Sequence, residues 1–107
     1  LADYILSKSA DEDLKCIFEY TLETRGADQL AIYALQVGAA LRQIAGDPTL
    51  PRSKTRKDLA AECRTFPASH HFIVSRVNRG QVEVARILHE PMDFENETVE
   101  TDFPNGP

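Results

Sequence analysis

Tryptophan is absent from this 107-residue chain, methionine occurs once, and the two cysteines, Cys16 and Cys63, lie far apart. Neither cysteine belongs to a CxxC or Cys/His spacing of the kind that holds zinc. No metal and no cofactor are therefore expected, and so few thiols suit a reducing, cytoplasmic setting without a disulfide. No stretch approaches the run of about 18 apolar residues that a membrane span needs. No basic segment followed by an apolar core opens the sequence, so a secretory leader is not expected. Internal repeats and low-complexity segments are also missing. What is present, 42% hydrophobic and 27% charged residues, is the balance of one ordinary domain. Its length suffices to bury a core without staples.

The net charge of −5 hides a pattern. Residues 1–50 carry −4, residues 51–89 carry +5, and residues 90–107 carry −6 with no base at all. A basic middle between acidic ends can attract an acidic partner; equally, the bases can be tied up in internal ion pairs. Four bases fall within six residues at Arg52, Lys54, Arg56 and Lys57. No aromatic is interleaved among them, which argues against stacking on single strands. Direct sequence-specific nucleic-acid binding is not expected.

Hydrophobic spacing yields an α+β domain. Tyr4-Ile5-Leu6-Ser7 reads as a short strand. Ser9-Ala10-Asp11-Glu12 has the spacing of a capping box. The helix after it places Leu14, Ile17, Phe18 and Thr21 on one face, with Cys16 read as a buried thiol on the same side. Gly26 supplies a left-handed helix end. A second helix carries Leu30, Ala34, Val37, Leu41 and Ile44 as its buried stripe and closes at Gly46-Asp47-Pro48. Two helices with so short a link should lie antiparallel. Residues 57–62 offer at most one helical turn. Arg64-Thr65-Phe66, His71–Val77 and Gln81–Leu88 read as strands, with Asn78-Arg79-Gly80 as a tight hairpin turn. The predicted order is β-α-α-β-β-β, a helical hairpin on a small, mainly antiparallel sheet. The domain is set at residues 1–94, followed by an acidic, flexible tail at 95–107.

Several of these pieces, taken in order, resemble the ParE toxin family within the RelE/ParE superfamily. They are Leu6-Ser7 and Ala10 after the first strand, then Asp13-Leu14, Ile17 and Tyr20. Gly26, Gln29 and Tyr33 follow, then Pro48, Arg64-Thr65-Phe66-Pro67, His71 with Phe72-Ile73-Val74, Ile87-Leu88-His89, and Met92-Asp93. The resemblance implies the toxin of a type II toxin–antitoxin system, neutralised by a ParD-like antitoxin and acting on DNA gyrase by binding, without catalysis. The RelE branch instead cleaves messenger RNA on the ribosome, and that is the alternative. Arg25, Ser75 and Pro91 depart from the common pattern and leave open a member that only binds antitoxin.

Candidate contact residues follow from charge and position. Lys54, Arg56, Lys57, Arg64 and Arg86 are the cations available to a target or antitoxin, and His89, Met92 and Asp93 gather at the end of the last strand. Ile32, Tyr33 and Leu35 lie off the buried stripe of the second helix, so they are assigned to an antitoxin groove. Ribonuclease chemistry would need an acid and a base. His70 and His71 are neighbours and should face opposite sides of a strand, so at most one can join His89. No tyrosine follows Tyr33 to orient a nucleotide. His89 itself reads first as a structural residue of the chain reversal, then as a binding group, and last as a catalytic base.

Overall fold

A short strand hands the chain directly to a helix through one serine. In the computed structural model, which describes residues 4–56 and 62–89, β1 (Tyr4–Leu6) is followed by α1 (Lys8–Gly46). Ser7 is the N-cap: its Oγ accepts from the Ala10 N–H at 2.9 Å and donates to the Ala85 carbonyl at 2.6 Å. Its own N–H donates to Val84 O at 2.9 Å. The helix start is therefore two residues earlier than the capping box expected at Ser9 and Glu12, with Ser7 as a simple N-cap, because Ser7 both ends the strand pairing and satisfies the first turn.

The helix breaks once, at Gly26 (φ 86°, ψ 174°). Phe18 and Tyr33, 15 residues apart, have ring centroids only 6.4 Å apart, whereas a straight helix would separate them by roughly 22 Å. The chain thus reverses at Gly26 and forms the expected hairpin of two arms. Ala10 of the first arm and Tyr33, Val37, Ala40, Leu41 and Ile44 of the second share one core with Phe66, Ile73, Val82, Val84 and Ile87 of the sheet. Two details differ from expectation. Cys16 is exposed, because the inward side of the first arm runs through Ala10, Leu14, Ile17 and Phe18. Tyr33 is only 6% exposed, because it begins the buried series that continues at Val37, Leu41 and Ile44.

Asp47 ends α1, donating its N–H to Gln43 O at 2.9 Å, while its carboxylate accepts from the Thr49 N–H and hydroxyl. The chain then forms β2 (Lys54–Thr55), β3 (Arg64–Ala68), β4 (His71–Asn78) and β5 (Gln81–His89). Strand β2, two residues long, is an addition to the predicted order. The turn considered at 57–62 falls mostly outside the described residues. The sheet order is β1-β5-β4-β3-β2, with β1 parallel to β5 and every other pair antiparallel. Arg79 (φ 55°) and Gly80 (φ 77°) both adopt positive φ and close the β4–β5 hairpin, as a two-residue turn of the primed kind demands. Among the described residues no helix is long and apolar enough to cross a membrane.

Candidate functional site

One irregularity in the sheet builds the site. Counted from the turn pair Asn78↔Gln81, an uninterrupted hairpin would set His71 opposite Leu88. The register shifts between Val74 and Ser75: Ser75 pairs with Val84, but Val74 pairs with Arg86. Ala85 is the extra residue of a β-bulge, and its carbonyl is the acceptor for Ser7 Oγ. Beyond the bulge every partner moves by one, so Ile73 meets Ile87 and His71 meets His89. Bulges commonly re-aim side chains in this way beside functional sites.

The two imidazoles lie edge to face with centroids 5.0 Å apart. His71 also stands edge to face with Tyr33 at 5.7 Å, and the Tyr33 hydroxyl is hydrogen-bonded to His71 Nδ1. Phe18, Tyr33, His71 and His89 therefore form a continuous series of ring contacts from the first helical arm to the end of β5. Burial pushes the Tyr33 phenol up to about 12. The phenol keeps its proton near neutrality, so against a neutral His71 it donates to Nδ1 and leaves the ring proton on Nε2.

Three of these rings, Tyr33, His71 and His89, border a cavity of about 500 Å³ between the helical hairpin and the end of the sheet. Cys16, Ile17, Tyr20, Thr21 and Arg25 line it from the first arm, and Gln29 and Tyr33 from the second. The remaining wall is Ser69, His70, His71 and His89. Ser69, at φ 59°, lies in the β3–β4 turn, so His70 is not held to strand alternation and reaches the same wall as His71. The expectation that only one of the pair could join His89 is corrected by that turn. No tyrosine follows Tyr33 in the sequence, but Tyr33 and Tyr20 approach this region from the helices rather than from the sheet. Chemically, the cluster offers imidazoles able to give and take protons, a protonated phenol, and one guanidinium. Among the described residues no three His, Cys, Asp or Glu side chains converge to hold a metal ion.

The sequence-derived candidates divide between this cavity and other places. His89 and Tyr33 belong to it. Ile32 and Leu35 are exposed on the second arm at 49% and 70%. Lys54 is exposed on β2, and Arg56, next to it, is half-buried. Arg64 donates from Nε to Ser53 Oγ at 2.8 Å and from Nη2 to Ser53 O at 2.9 Å, which fastens the loop before β2. Arg86 grips Asp13 through Nε (2.8 Å) and Nη2 (3.1 Å), and the Ile87 N–H donates to the same carboxylate at 3.0 Å. Lys57, Met92 and Asp93 lie outside the described residues. Sequence reasoning missed the contributions of Cys16, Tyr20, Thr21, Arg25, Gln29 and Ser69. The spacing of Cys16, Tyr20 and Thr21, then Arg25, and of Gln29 and Tyr33, is that of one helical face in each arm. Only the reversal at Gly26 turns the two faces toward each other.

Comparison with known proteins supplies the relationship. Residues 4–94 match the model of a family described as the ParE toxin of a type II toxin–antitoxin system, parDE. A toxin ParE1 of Caulobacter vibrioides is 32% identical over 90 residues, covering 84% of this chain and 91% of the relative. A toxin ParE1 of Mycobacterium tuberculosis is 29% identical over 93 residues, covering 86% and 93%. Among solved structures, a chain of the chromosomal ParDE toxin–antitoxin system of P. aeruginosa superimposes with a TM-score of 0.71 at 12% identity, covering 82% of this chain and 95% of that one. That likeness concerns the fold.

Proposed function

Since the chain belongs to the ParE toxin family of type II toxin–antitoxin systems, we propose that it acts in the cytoplasm by binding DNA gyrase, without chemistry of its own, and that a ParD-like antitoxin neutralises it. The observation that carries a binding role is the outer surface of the helical hairpin. Leu22, Ile32 and Leu35 stand 48%, 49% and 70% exposed. Ile32 and Leu35 are three residues apart and so neighbours on one face. A small domain gains nothing in isolation from holding large apolar side chains in water, and an amphipathic antitoxin segment would cover them. The P. aeruginosa neighbour comes from a toxin–antitoxin system, in keeping with such a partner. Lys54, Arg56, Lys57, Met92 and Asp93 remain candidates for the gyrase or antitoxin contact, and His89 joins them from the cavity.

The test is plasmid supercoiling by gyrase, with and without the purified protein. Inhibited supercoiling or trapped double-strand breaks, relieved by the cognate antitoxin, is the expected outcome. Unchanged gyrase activity in the presence of folded protein would overturn the reading. Attention would then pass to ribosome-dependent RNA cleavage, for which His71 and His89 supply two titratable groups side by side.

A further inference from the structure

The cavity at the end of the hairpin has a composition that neither antitoxin binding nor gyrase binding accounts for. The chain as a whole is acidic, and the first helical arm carries Asp11, Glu12, Asp13, Glu19 and Glu23. Yet among the described residues none that lines the cavity is acidic. Among the described residues the one full charge on its wall is the Arg25 guanidinium, and His70, His71 and His89 add ring nitrogens that can donate hydrogen bonds. Such a lining favours an anion, and a planar guanidinium suits phosphate in particular.

The rest of the wall is suited to a flat ring. His71 and His89 are fixed edge to face, and the Tyr33 hydroxyl bond holds His71 in place. Tyr20 stands 68% exposed on the same wall, a position that would be wasteful for a core aromatic and is favourable for a stacking platform. Gln29 and Ser69 add amide and hydroxyl groups that can both donate and accept, as recognition of a heteroaromatic edge requires. The volume, about 500 Å³, is in the range of small-molecule sites. It holds one nucleotide rather than a length of strand.

The geometry points to a nucleotide-binding site here: Arg25 and His70 hold the phosphate, and the base lies against Tyr20 and the His71–His89 pair. The occupant is a nucleoside monophosphate unit, either free or at the end of a single strand. The site does not depend on the gyrase reading, since it requires only the cavity and its wall.

The experiment is calorimetric titration of the full chain, followed residue by residue in amide spectra, with four probes: AMP, inorganic phosphate, adenosine, and a short oligonucleotide bearing a terminal phosphate. AMP should bind in the micromolar to low millimolar range, with shifts at His71, His89 and Tyr33. Phosphate alone and adenosine alone should each bind at least about tenfold more weakly, since each lacks half of the recognition. Arg25→Gln, a change at an exposed residue, should weaken AMP about tenfold or more while the melting temperature holds. AMP binding tighter than the oligonucleotide would assign the site to a free nucleotide, and the reverse order to a strand end. Absence of AMP and oligonucleotide binding to the folded chain overturns the inference. So does binding that Arg25→Gln leaves unchanged, or shifts confined to residues away from the cavity.

Discussion

Tyr33 shows how one side chain joins the two layers. It is buried in the second helical arm, its ring meets Phe18 of the first arm, and its hydroxyl bonds to the first residue of β4. Burial raises its pKa from 10.0 to about 12, so the folded protein keeps a proton that the unfolded chain loses near pH 10. Between pH 10 and 12 the folded state therefore binds more protons, and stability falls as pH rises. The stability is fully present below pH 10, and about 2–3 kcal/mol of it is lost by pH 12. Urea midpoints at pH 9 and pH 11 should show this fall. Tyr33→Phe should start lower by about 1 kcal/mol, for the lost bond to His71, and should show a flatter alkaline slope. Asp13 makes a comparable link from the first arm to the C-terminal half of β5. Asp13→Ala would leave both the Arg86 guanidinium and the Ile87 N–H without this acceptor, at a cost of about 2–4 kcal/mol in the same unfolding measurement. Arg86→Ala should behave similarly, so a loss of toxicity in that variant would report a lost fold rather than a lost contact. Charge alone put Arg86 and Arg64 among the contact candidates. Their partners, 73 and 11 residues away in sequence, were invisible without the fold. The sequence singles out His89 at a strand end and allows one of His70 and His71 to join it; it does not say that His71 lies directly opposite, because turn counting matches His71 with Leu88 and the bulge at Ala85 is not written in any residue type.

At the level of elements, periodicity carried most of the architecture. The apolar steps of three and four located both helical arms, Asn78-Arg79-Gly80 located the hairpin, and Gly26 located the reversal. What periodicity could not supply was β2: two exposed residues, Lys54 and Thr55, have no alternation to detect and are a strand only because Arg64 and Thr65 pair with them. The reversal at Gly26 carries a sharp prediction. A Cβ at Gly26 would meet nothing within 4 Å, yet its backbone, at φ 86° and ψ 174°, lies where side-chain-bearing residues are strained. Gly26→Ala should therefore destabilise by about 1–3 kcal/mol despite the open space. Gly46 is also open but keeps helical geometry at the end of α1. Gly46→Ala should change stability by less than about 1 kcal/mol, in the stabilising direction. Paired thermal melts of the two variants separate backbone strain from steric fit. If both variants behaved alike, the account of the reversal would be wrong.

Across the whole molecule, the basic middle of the sequence is less available than its charge suggests. Arg76 bonds to Glu83 at 3.0 Å, which is fully buried and also accepts from Asn78. Arg86 is spent on Asp13 and Arg64 on Ser53, while Arg52 lies over the Phe66 ring at 5.5 Å. Lys54, on the outer strand of the sheet, and Arg79, at the hairpin turn, remain exposed. A charged outer strand discourages pairing with other sheets and can steer an acidic partner at the same time. The apolar positions Ile32 and Leu35 lie instead on the helical hairpin. Two surfaces of different character imply two kinds of mutational effect. Leu35→Asp should lower antitoxin affinity by about 2 kcal/mol or more through faster dissociation, with the unfolding midpoint nearly unchanged, because the side chain is mostly in water already. Lys54→Glu should instead slow association with whichever partner meets that edge, and the slowing should fade at high salt. Binding kinetics at two ionic strengths, measured for antitoxin and for gyrase separately, tell which partner meets which surface. A Leu35→Asp variant that bound antitoxin as tightly as the parent would remove the helical hairpin from the antitoxin interface, and a salt-independent Lys54→Glu effect would remove steering from the role of the edge.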